Sequence, residues 1–298
     1  MESDRTMRML AGSPTGQDLV GVEPNGQLIF WDSATGAAWP CPGFGEPLTT
    51  IAWSPDGLRL VGVSAKHVWL GCVNRAGRSV DDVRAILYKP AAVAFSPNSR
   101  QVALWGETLA VWDIDQEQLL WERPSPHAGE GVADPPYQTV AWSPNGKVLA
   151  AVPRGEATLE FWAMPAGERL LPIGVDLEES TRLVGPPVAA VAFNFASTRI
   201  ACGCADGAIR IYHREKAIVE HTLHGHDGPV KWLAFVSPQP PALETDRQQL
   251  NTWLVSADAQ DVRQWDVTRD QQMAVLVRNL DDLRSVSVDR SGKILAVA

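Results

Sequence analysis

The stretch TTIAWSPDGLRLVGV (residues 49–63) decides the fold, because it joins two apolar runs through a tight polar turn. The first run ends at Trp53, Ser-Pro-Asp-Gly follows at 54–57, and the second run begins after it. Proline presets φ at the first central turn position and glycine tolerates a positive φ, so this tetrapeptide favours a β-turn between two strands. The stretch therefore predicts a β-hairpin.

The same hairpin recurs along the chain. Close copies are AAVAFSPNSRQVALW (91–105), QTVAWSPNGKVLAAV (138–152) and AAVAFNFASTRIACG (189–203), and weaker copies lie at 5–22, 230–257 and 284–298. The residue after the aromatic recurs at spacings of 41, 42, 47, 51, 42 and 53, at Ser13, Ser54, Ser96, Ser143, Asn194, Val236 and Asp289. Such a period indicates one four-stranded unit per repeat.

Each complete unit continues with a third strand that ends in an aromatic residue, at Trp31, Trp69, Trp112, Trp162, Tyr212 and Trp265. A fourth apolar strand follows. The strands carry apolar residues on both faces, as in VLAAV (148–152), so both faces must be covered. Sheets stacked radially around an axis satisfy this requirement. We predict an all-β propeller of the seven-bladed type, with six complete blades and a partial seventh.

The units are predicted to form one domain over residues 1–298. Their approximate ranges are 5–43, 48–90, 91–123, 138–174, 188–225 and 229–280, with the partial unit at 283–298. A strand to complete the last unit has no obvious source, because the first unit already has four strands of its own. We expect the chain to be a fragment of a longer protein, or its ring to be open or completed by another chain, because an uncovered apolar edge is a liability.

Three third strands end in Trp-Asp: LIFWD (28–32), LAVWD (109–113) and VRQWD (262–266). They resemble the endings of WD-repeat (WD40) propellers, and the resemblance covers essentially the whole chain, although three other units replace the dipeptide. It implies structural roles for Trp31, Trp112 and Trp265.

The resemblance also implies structural roles for His226 and Asp206. LHGHDGPV (223–230) is similar to the Gly-His that opens family repeats, and CADGAIRIY (204–212) carries Asp206 where the family places its turn aspartate. In the family, such side chains join a hydrogen-bonded network within one blade. Here His226 and Asp206 sit in different blades, so we expect blade stability to rest chiefly on packing.

Composition disfavours several classes of function. The formal net charge is −9 with no basic run, which argues against a nucleic-acid partner. Neither a signal peptide nor a membrane-spanning run is evident, so we expect a cytoplasmic protein without a membrane partner. Four cysteines are too few for a disulfide framework. The cluster HTLHGHDG (221–228) and the pair Cys202 and Cys204 are interpreted as structural, and we predict neither metal nor cofactor.

A binding surface is predicted where the first strand of each unit begins, which is also the face that partners often use in the family. The matching residues form a small, nearly uncharged ring of Met9, Thr50, Ala92, Thr139, Ala190, Trp232 and Ser285. Trp232 is either a contact anchor or a core residue, and Trp105, at the end of a second strand on the same face, poses the same choice. Polar candidates around them are Lys231, Arg154, Lys66 and His67.

No catalytic motif is present in the sequence, and we predict a protein that is not an enzyme. Our hypothesis is a non-catalytic protein-protein interaction scaffold within a larger protein or complex. Its partner would be another protein or another domain of the same polypeptide, and a small-molecule ligand is disfavoured. The alternative is a propeller enzyme or small-ligand binder that uses the central channel, which requires convergent polar or charged groups there.

Overall fold

The computed structural model describes residues 7–86, 88, 90–106, 108–124, 139–152, 159–170, 186–216, 218–237, 253–280, 283–289, 292 and 295–298. Within these ranges the regular structure is β-strand, apart from a 3-10 turn at Val267–Arg269. No helix there is long and apolar enough to cross a membrane. The predicted all-β class is confirmed.

Six four-stranded antiparallel sheets follow one another along the chain, and in each sheet the strands pair in sequence order. The first three comprise β1 (Met9–Gly12), β2 (Asp18–Val22), β3 (Leu28–Asp32) and β4 (Ala38–Cys41); β5 (Leu48–Trp53), β6 (Arg59–Ser64), β7 (Val68–Asn74) and β8 (Ser79–Ile86); and β9 (Ala92–Phe95), β10 (Gln101–Trp105), β11 (Thr108–Asp113) and β12 (Gln118–Pro124). The next three comprise β13 (Thr139–Trp142), β14 (Val148–Val152), β15 (Glu160–Ala163) and β16 (Glu168–Leu170); β17 (Val188–Phe193), β18 (Arg199–Cys204), β19 (Ile209–His213) and β20 (Ile218–Leu223); and β21 (Trp232–Val236), β22 (Trp253–Ala257), β23 (Val262–Asp266) and β24 (Gln271–Val277).

These sheets are the six blades of a propeller. The first strand of each blade contacts the first strand of the next, from β1 through β21, so the six inner strands surround a common channel. The predicted propeller with six four-stranded blades is therefore confirmed.

A two-stranded sheet lies between the sixth blade and the first. It pairs β25 (Val286–Val288) with β26 (Leu295–Val297). One side packs on the sixth blade, where Leu283 and Val286 join a buried cluster with Val255 and Val262. The other side contacts β1. The small sheet therefore occupies the space between the sixth blade and the first and contacts both.

Polar contacts hold β25 against β1. Ser285 Oγ accepts a hydrogen bond from Leu10 N at 3.0 Å and donates to Leu10 O at 2.9 Å. Ser287 Oγ accepts from Gly12 N at 2.7 Å. A side chain on Gly12 would come within 3.0 Å of that hydroxyl, so glycine permits the close approach. Two serine hydroxyls thus form hydrogen bonds with backbone groups on the edge of β1 that faces away from β2.

The second strand of a blade is its most buried element. All five residues of β14 (VLAAV) are buried, and β6, β10, β18 and β22 are each buried at all but their first residue. Such strands are covered on both faces by neighbouring blades, as the apolar runs predicted. By contrast, all three residues of β26, the second strand of its sheet, are only half-buried.

The turn serine organises the hairpin in which it stands. Ser143 Oγ accepts from Val148 N at 2.9 Å and donates to Asn145 Oδ1 at 2.8 Å. The turns of the second and third blades have equivalent bonds. Asn194 caps the corresponding turn of the fifth blade, where its Oδ1 accepts a hydrogen bond from Arg199 N at 3.0 Å. The serine of the repeat is therefore a buried turn cap, as the sequence suggested.

Tryptophans link successive blades through their indole N–H groups. Trp53 of β5 donates to Ala11 O of β1 at 3.0 Å, and Trp142 of β13 donates to Ala94 O of β9 at 3.1 Å. Each of these indoles is at most 9% exposed, so an unpaired N–H there would be costly. In the second and fourth blades, the tryptophan before the turn serine is thus both a core residue and a hydrogen-bond donor to the preceding blade.

Candidate interaction surface around the central channel

The seven ring residues predicted from the repeat line one cavity of about 490 Å³ at the centre of the propeller. They are Met9, Thr50, Ala92, Thr139, Ala190, Trp232 and Ser285. The predicted register of the first strands is confirmed. Six of the seven are small or unbranched neutral side chains, so Trp232 is the largest side chain of the ring.

Trp232 opens β21, where it pairs with Ala257 of β22. Its side chain is half-buried and packs against the cluster that includes Val236, Val255 and Leu283. It also lines the cavity. Trp232 therefore belongs partly to the core and partly to the cavity wall. Contact with a partner stays a prediction.

Charge on the described cavity wall is confined to one sector. Lys231 precedes β21 and Arg284 precedes β25, and both are exposed residues that line the cavity. Asp258 is the single acidic residue among the lining residues described, and it is 4% exposed. The remaining residues described in the wall have neutral side chains.

Asp258 is occupied by a buried network in the sixth blade. The indole of Trp265 donates to Ser256 Oγ at 2.7 Å, and Ser256 Oγ lies 2.7 Å from His226 Nε2. His226 Nδ1 lies 3.1 Å from Asp258 Oδ2, in an oblique approach that is more an electrostatic contact than a straight hydrogen bond. Because Nδ1 lies beside the carboxylate, the neutral imidazole is stabilised with its proton on Nδ1, and Nε2 then accepts from the Ser256 hydroxyl, which in turn accepts from Trp265.

The surroundings fix the charge states in this network. Burial holds the pKa of His226 below its usual 6.5, although the nearby Asp258 carboxylate acts in the opposite direction. Burial also opposes ionisation of Asp258, but backbone N–H donors from Asp261 and Gln260, together with His226, outweigh it and lower the pKa of that carboxyl. The pair is therefore a neutral imidazole beside a carboxylate.

This network corrects the sequence prediction. We expected no network within one blade, because Asp206 and His226 lie in different blades. The partner of His226 is instead Asp258, of its own blade. Asp206 forms an ion pair with Arg210 at 2.8 Å and accepts from Ala208 N at 3.1 Å, which holds the turn between β18 and β19. Its role is structural, as implied, but local.

The predicted structural tryptophans differ in burial. Trp265 is 1% exposed and belongs to the network above. Trp31 and Trp112 are half-buried on third strands, and Trp112 packs against the cluster between the second and third blades. The Trp31 ring covers Gly21 so closely that a Cβ there would lie 2.7 Å from it.

Trp105 is a core residue, and its interpretation as a contact anchor was wrong. It is 1% exposed, and its indole N–H donates to Val152 O of the next blade at 2.8 Å. It packs with Leu149 and Val140 of that blade. The strand register placed Trp105 at the correct end of β10, but the neighbouring blade covers it.

Lys66 and His67 connect β6 to β7 at the end of the second blade where β5 begins, but neither lines the cavity. Lys66 is exposed. His67 Nδ1 lies 3.0 Å from Glu46 Oε1, and the hydroxyl of Ser64 also donates to Glu46, which lowers the pKa of that carboxyl. His67 is thus part of a local network. Arg154 lies outside the described residues.

Two of the histidines considered as metal ligands have other partners, and the two cysteines are buried. His221 Nδ1 pairs with Asp270 at 2.7 Å, and His226 belongs to the buried network. Cys202 and Cys204 are buried, and burial raises the pKa of both thiols. Among the residues that the structure describes, no group of three or more His, Cys, Asp or Glu side chains is placed to hold a metal ion.

Comparison with known proteins agrees with this architecture. A family model described as "WD domain, G-beta repeat" (WD40) matches residues 178–213. The chain is also similar to "WD repeat-containing protein VIP3" of Arabidopsis thaliana, with 23% identity over 203 residues. That match covers 65% of this chain and 55% of the relative, so the chain spans about half the relative's length. The resemblance to WD-repeat propellers is confirmed.

Proposed function

We propose that this chain is a non-catalytic scaffold that binds another protein, or another segment of its own polypeptide, through a WD-repeat-like propeller. We also propose that β25 and β26 are the first two strands of an incomplete seventh blade. The observation that carries both proposals is the edge of β26, which no strand pairs within the described residues. In six blades a third strand takes that position.

The outer edge of β26 carries backbone N–H and C=O groups that could pair with another strand. Ser285 and Ala298 exchange both backbone hydrogen bonds, at 3.1 and 3.0 Å. Antiparallel pairs alternate between bonded and non-bonded positions, so Ala296 bonds to Ser287 while Leu295 and Val297 direct their N–H and C=O groups away from β25. These outward groups form the template that added strands use.

The other blades define what would fit this edge. Their third strands are extended segments that contain an aromatic residue, such as Trp31 in LIFWD at β3 and Trp265 in VRQWD at β23. A strand of this type would cover Leu295 and Val297, which are half-buried. A partner that supplies such a segment would complete the seventh blade.

A synthetic peptide of residues 108–124, which form the third and fourth strands of the third blade, tests strand addition. We expect saturable binding to the intact chain by fluorescence anisotropy. Val297→Pro in the chain removes one outward N–H while keeping the bonds to β25, and should weaken binding by at least about tenfold. The same peptide with Ala110→Pro, which removes an N–H on the edge that pairs with a second strand, is the matched control and should not bind. Equal binding by both peptides would contradict the proposal.

The proposal includes a protein partner, rather than a nucleic acid or a membrane, and a cytoplasmic location. The net charge of −9 supports the first part, since a phosphate backbone requires clustered positive charge. Fractionation of the source cells, followed by detection of the chain in soluble and membrane fractions, tests the second. Recovery mainly with membranes would contradict it.

A further inference from the structure

The face of the sixth blade that is directed towards the two-stranded sheet has a polar residue on its third strand. Val262 of β23 is buried in one cluster with Val286 of β25. Side chains of a strand alternate between its two faces, so Gln264 shares the face of Val262. The next residue, Trp265, instead belongs to the cluster between the fifth and sixth blades. Gln264 is therefore directed towards the place that a third strand of the seventh blade would occupy.

The corresponding residues of the other five blades are apolar. The residues that pair with the middle of the second strand, as Gln264 does with Val255, are Phe30, Leu70, Val111, Phe161 and Ile211. Four of them share a hydrophobic cluster with the aromatic of the next third strand, in the pairs Leu70–Trp112, Val111–Trp162, Phe161–Tyr212 and Ile211–Trp265. The sixth blade, whose neighbour has no third strand among the described residues, carries glutamine instead.

The strands on either side of Gln264 place apolar residues next to it. It pairs with Val255, which is 1% exposed, and with Ala274. Gln264 is half-buried, and its side-chain amide makes no hydrogen bond with another residue of the described ranges. A strand that covered this amide with apolar atoms alone would leave a polar group without a partner, which is unfavourable. An added strand is therefore favoured if it brings a hydrogen-bonding group to this place.

The register of the blades identifies the residue of an added strand that lies beside Gln264. Leu295 pairs with the last residue of β25, at the repeat position where Leu149 pairs with the last residue of β13. In five blades the aliphatic residue at this position also pairs with the aromatic of the third strand, in the pairs Leu19–Trp31, Val102–Trp112, Leu149–Trp162, Ile200–Tyr212 and Leu254–Trp265. Directly opposed side chains share a face, and Leu295 packs on the cluster of the sixth blade. An aromatic opposite Leu295 is therefore directed towards that blade.

We propose that Gln264 determines which segment completes the seventh blade. The residue opposite Leu295 is a tyrosine or tryptophan, whose O–H or N–H donates to the side-chain oxygen of Gln264, and phenylalanine is disfavoured because it has a ring without a donor. The partner is thus a protein segment in extended conformation with a polar aromatic at this register. This inference rests on the proposed strand addition at β26, and it adds the residue that distinguishes one segment from another.

The test compares two peptides that differ by one hydroxyl group. Both have the sequence of residues 108–124, with Trp112→Tyr in one and Trp112→Phe in the other. Residue 112 pairs with a second strand at the position that corresponds to Leu295, so the change falls beside Gln264. We expect the tyrosine peptide to bind the intact chain at least about fivefold more tightly in fluorescence anisotropy, because only its ring carries a donor.

The outcomes separate this inference from the strand addition on which it rests. If the phenylalanine peptide binds as tightly as the tyrosine peptide, or more tightly, the role of Gln264 is overturned while strand addition stands. If neither these peptides nor the parent peptide binds, strand addition itself is contradicted and this inference falls with it.

Substitution in the chain then locates the preference. Gln264→Leu gives the sixth blade an apolar residue, as in the other five, so the two peptides should bind this variant with Kd values within about twofold of each other. Gln264→Met keeps the length of the side chain and should behave in the same way. Gln118→Leu is the matched control, because it makes the same change at an exposed position of the third blade, and it should keep the preference for tyrosine.

Two results with these variants would overturn the assignment to Gln264. One is a preference for tyrosine that survives both Gln264→Leu and Gln264→Met. The other is a preference that Gln118→Leu also abolishes, since this would show a general effect of an added leucine. Unchanged thermal unfolding confirms that each variant is folded.

Discussion

A serine hydroxyl closes the hairpin turn in each of three successive blades, at Ser54, Ser96 and Ser143. Each is at most 2% exposed, and each accepts a backbone N–H from the residue five positions later. A buried donor that loses its acceptor costs more than the bond itself contributed, because it cannot reach water. The conspicuous serine of the repeat is therefore explained by the fold.

We predict that Ser143→Ala lowers the free energy of unfolding by about 1–2 kcal/mol, because Val148 N loses its acceptor. Ser143→Asn is the matched control. It should lose less, since Asn194 caps the equivalent turn of the fifth blade through its amide oxygen. Urea unfolding measures both variants, and equal losses for alanine and asparagine would contradict the capping role.

The buried pair of His226 and Asp258 makes stability depend on pH. Burial keeps the pKa of His226 below 6.5 in the fold, so the unfolded chain takes up the proton first as pH falls. The stabilising contribution of the neutral imidazole is therefore fully present above about pH 6.5 and is lost as pH falls towards the lower, folded pKa.

We predict that His226→Gln is less stable than the unchanged chain at about pH 7.5, and that the difference narrows as pH falls to about 5. Glutamine does not titrate, so it lacks the acid-dependent loss. The remaining histidines are present in both proteins and cancel in the comparison. Urea midpoints at the two pH values provide the test, and a gap that widens towards acid would refute the assigned protonation state.

At the scale of elements, the contact between β25 and β1 differs from the contacts between complete blades. Tryptophan indoles reach neighbouring backbones in the second and fourth blades, whereas Ser285 and Ser287 use hydroxyls. Each hydroxyl serves a different amide of β1. Single substitutions can therefore remove the hydrogen bonds between β25 and β1 one at a time.

We predict that Ser287→Ala speeds hydrogen exchange at the amide of Gly12, and that Ser285→Ala does so at Leu10. The amides of Val20 and Val22, which lie inside the first blade, should keep their exchange rates in both variants. Exchange followed by NMR distinguishes the sites. A uniform increase in exchange rate over all of β1 and β2 would indicate general loosening of the first blade rather than loss of one specific hydrogen bond.

Local chemistry explains which elements the sequence predicted correctly. Each hairpin is encoded within about fifteen residues, so turn signals and apolar runs sufficed for six blades. The partner of His226 was missed because the sixth unit is the longest, which obscured its alignment. A signal was nevertheless present: Ser-Ala-Asp at 256–258 occupies the same place as Cys-Ala-Asp at 204–206.

Contacts between blades were harder to predict, because they join residues that are far apart in sequence. The pattern placed Trp105 at the C-terminal end of β10, on the face where the first strands begin, and the structure agrees. It could not show that Val152, 47 positions later, covers the indole. In the same way, the ring residues were predicted as a set, but only the structure shows that Lys231, Asp258 and Arg284 line the same cavity.

At the scale of the whole molecule, six blades and the two-stranded sheet surround one channel. The proposed partner surface is the edge of β26, a position that a third strand covers in every complete blade. The proposed scaffold function depends most on this edge, because the proposed incomplete blade would accept a strand from a partner.

Amide hydrogen exchange along β26, measured with and without the peptide of residues 108–124, tests this claim most directly. The backbone N–H groups of Leu295 and Val297 point outwards and that of Ala296 bonds to β25, so we predict new protection at the first two amides and little change at Ala296. Protection of all three amides alike, or of none at saturating peptide, would contradict strand addition at this edge.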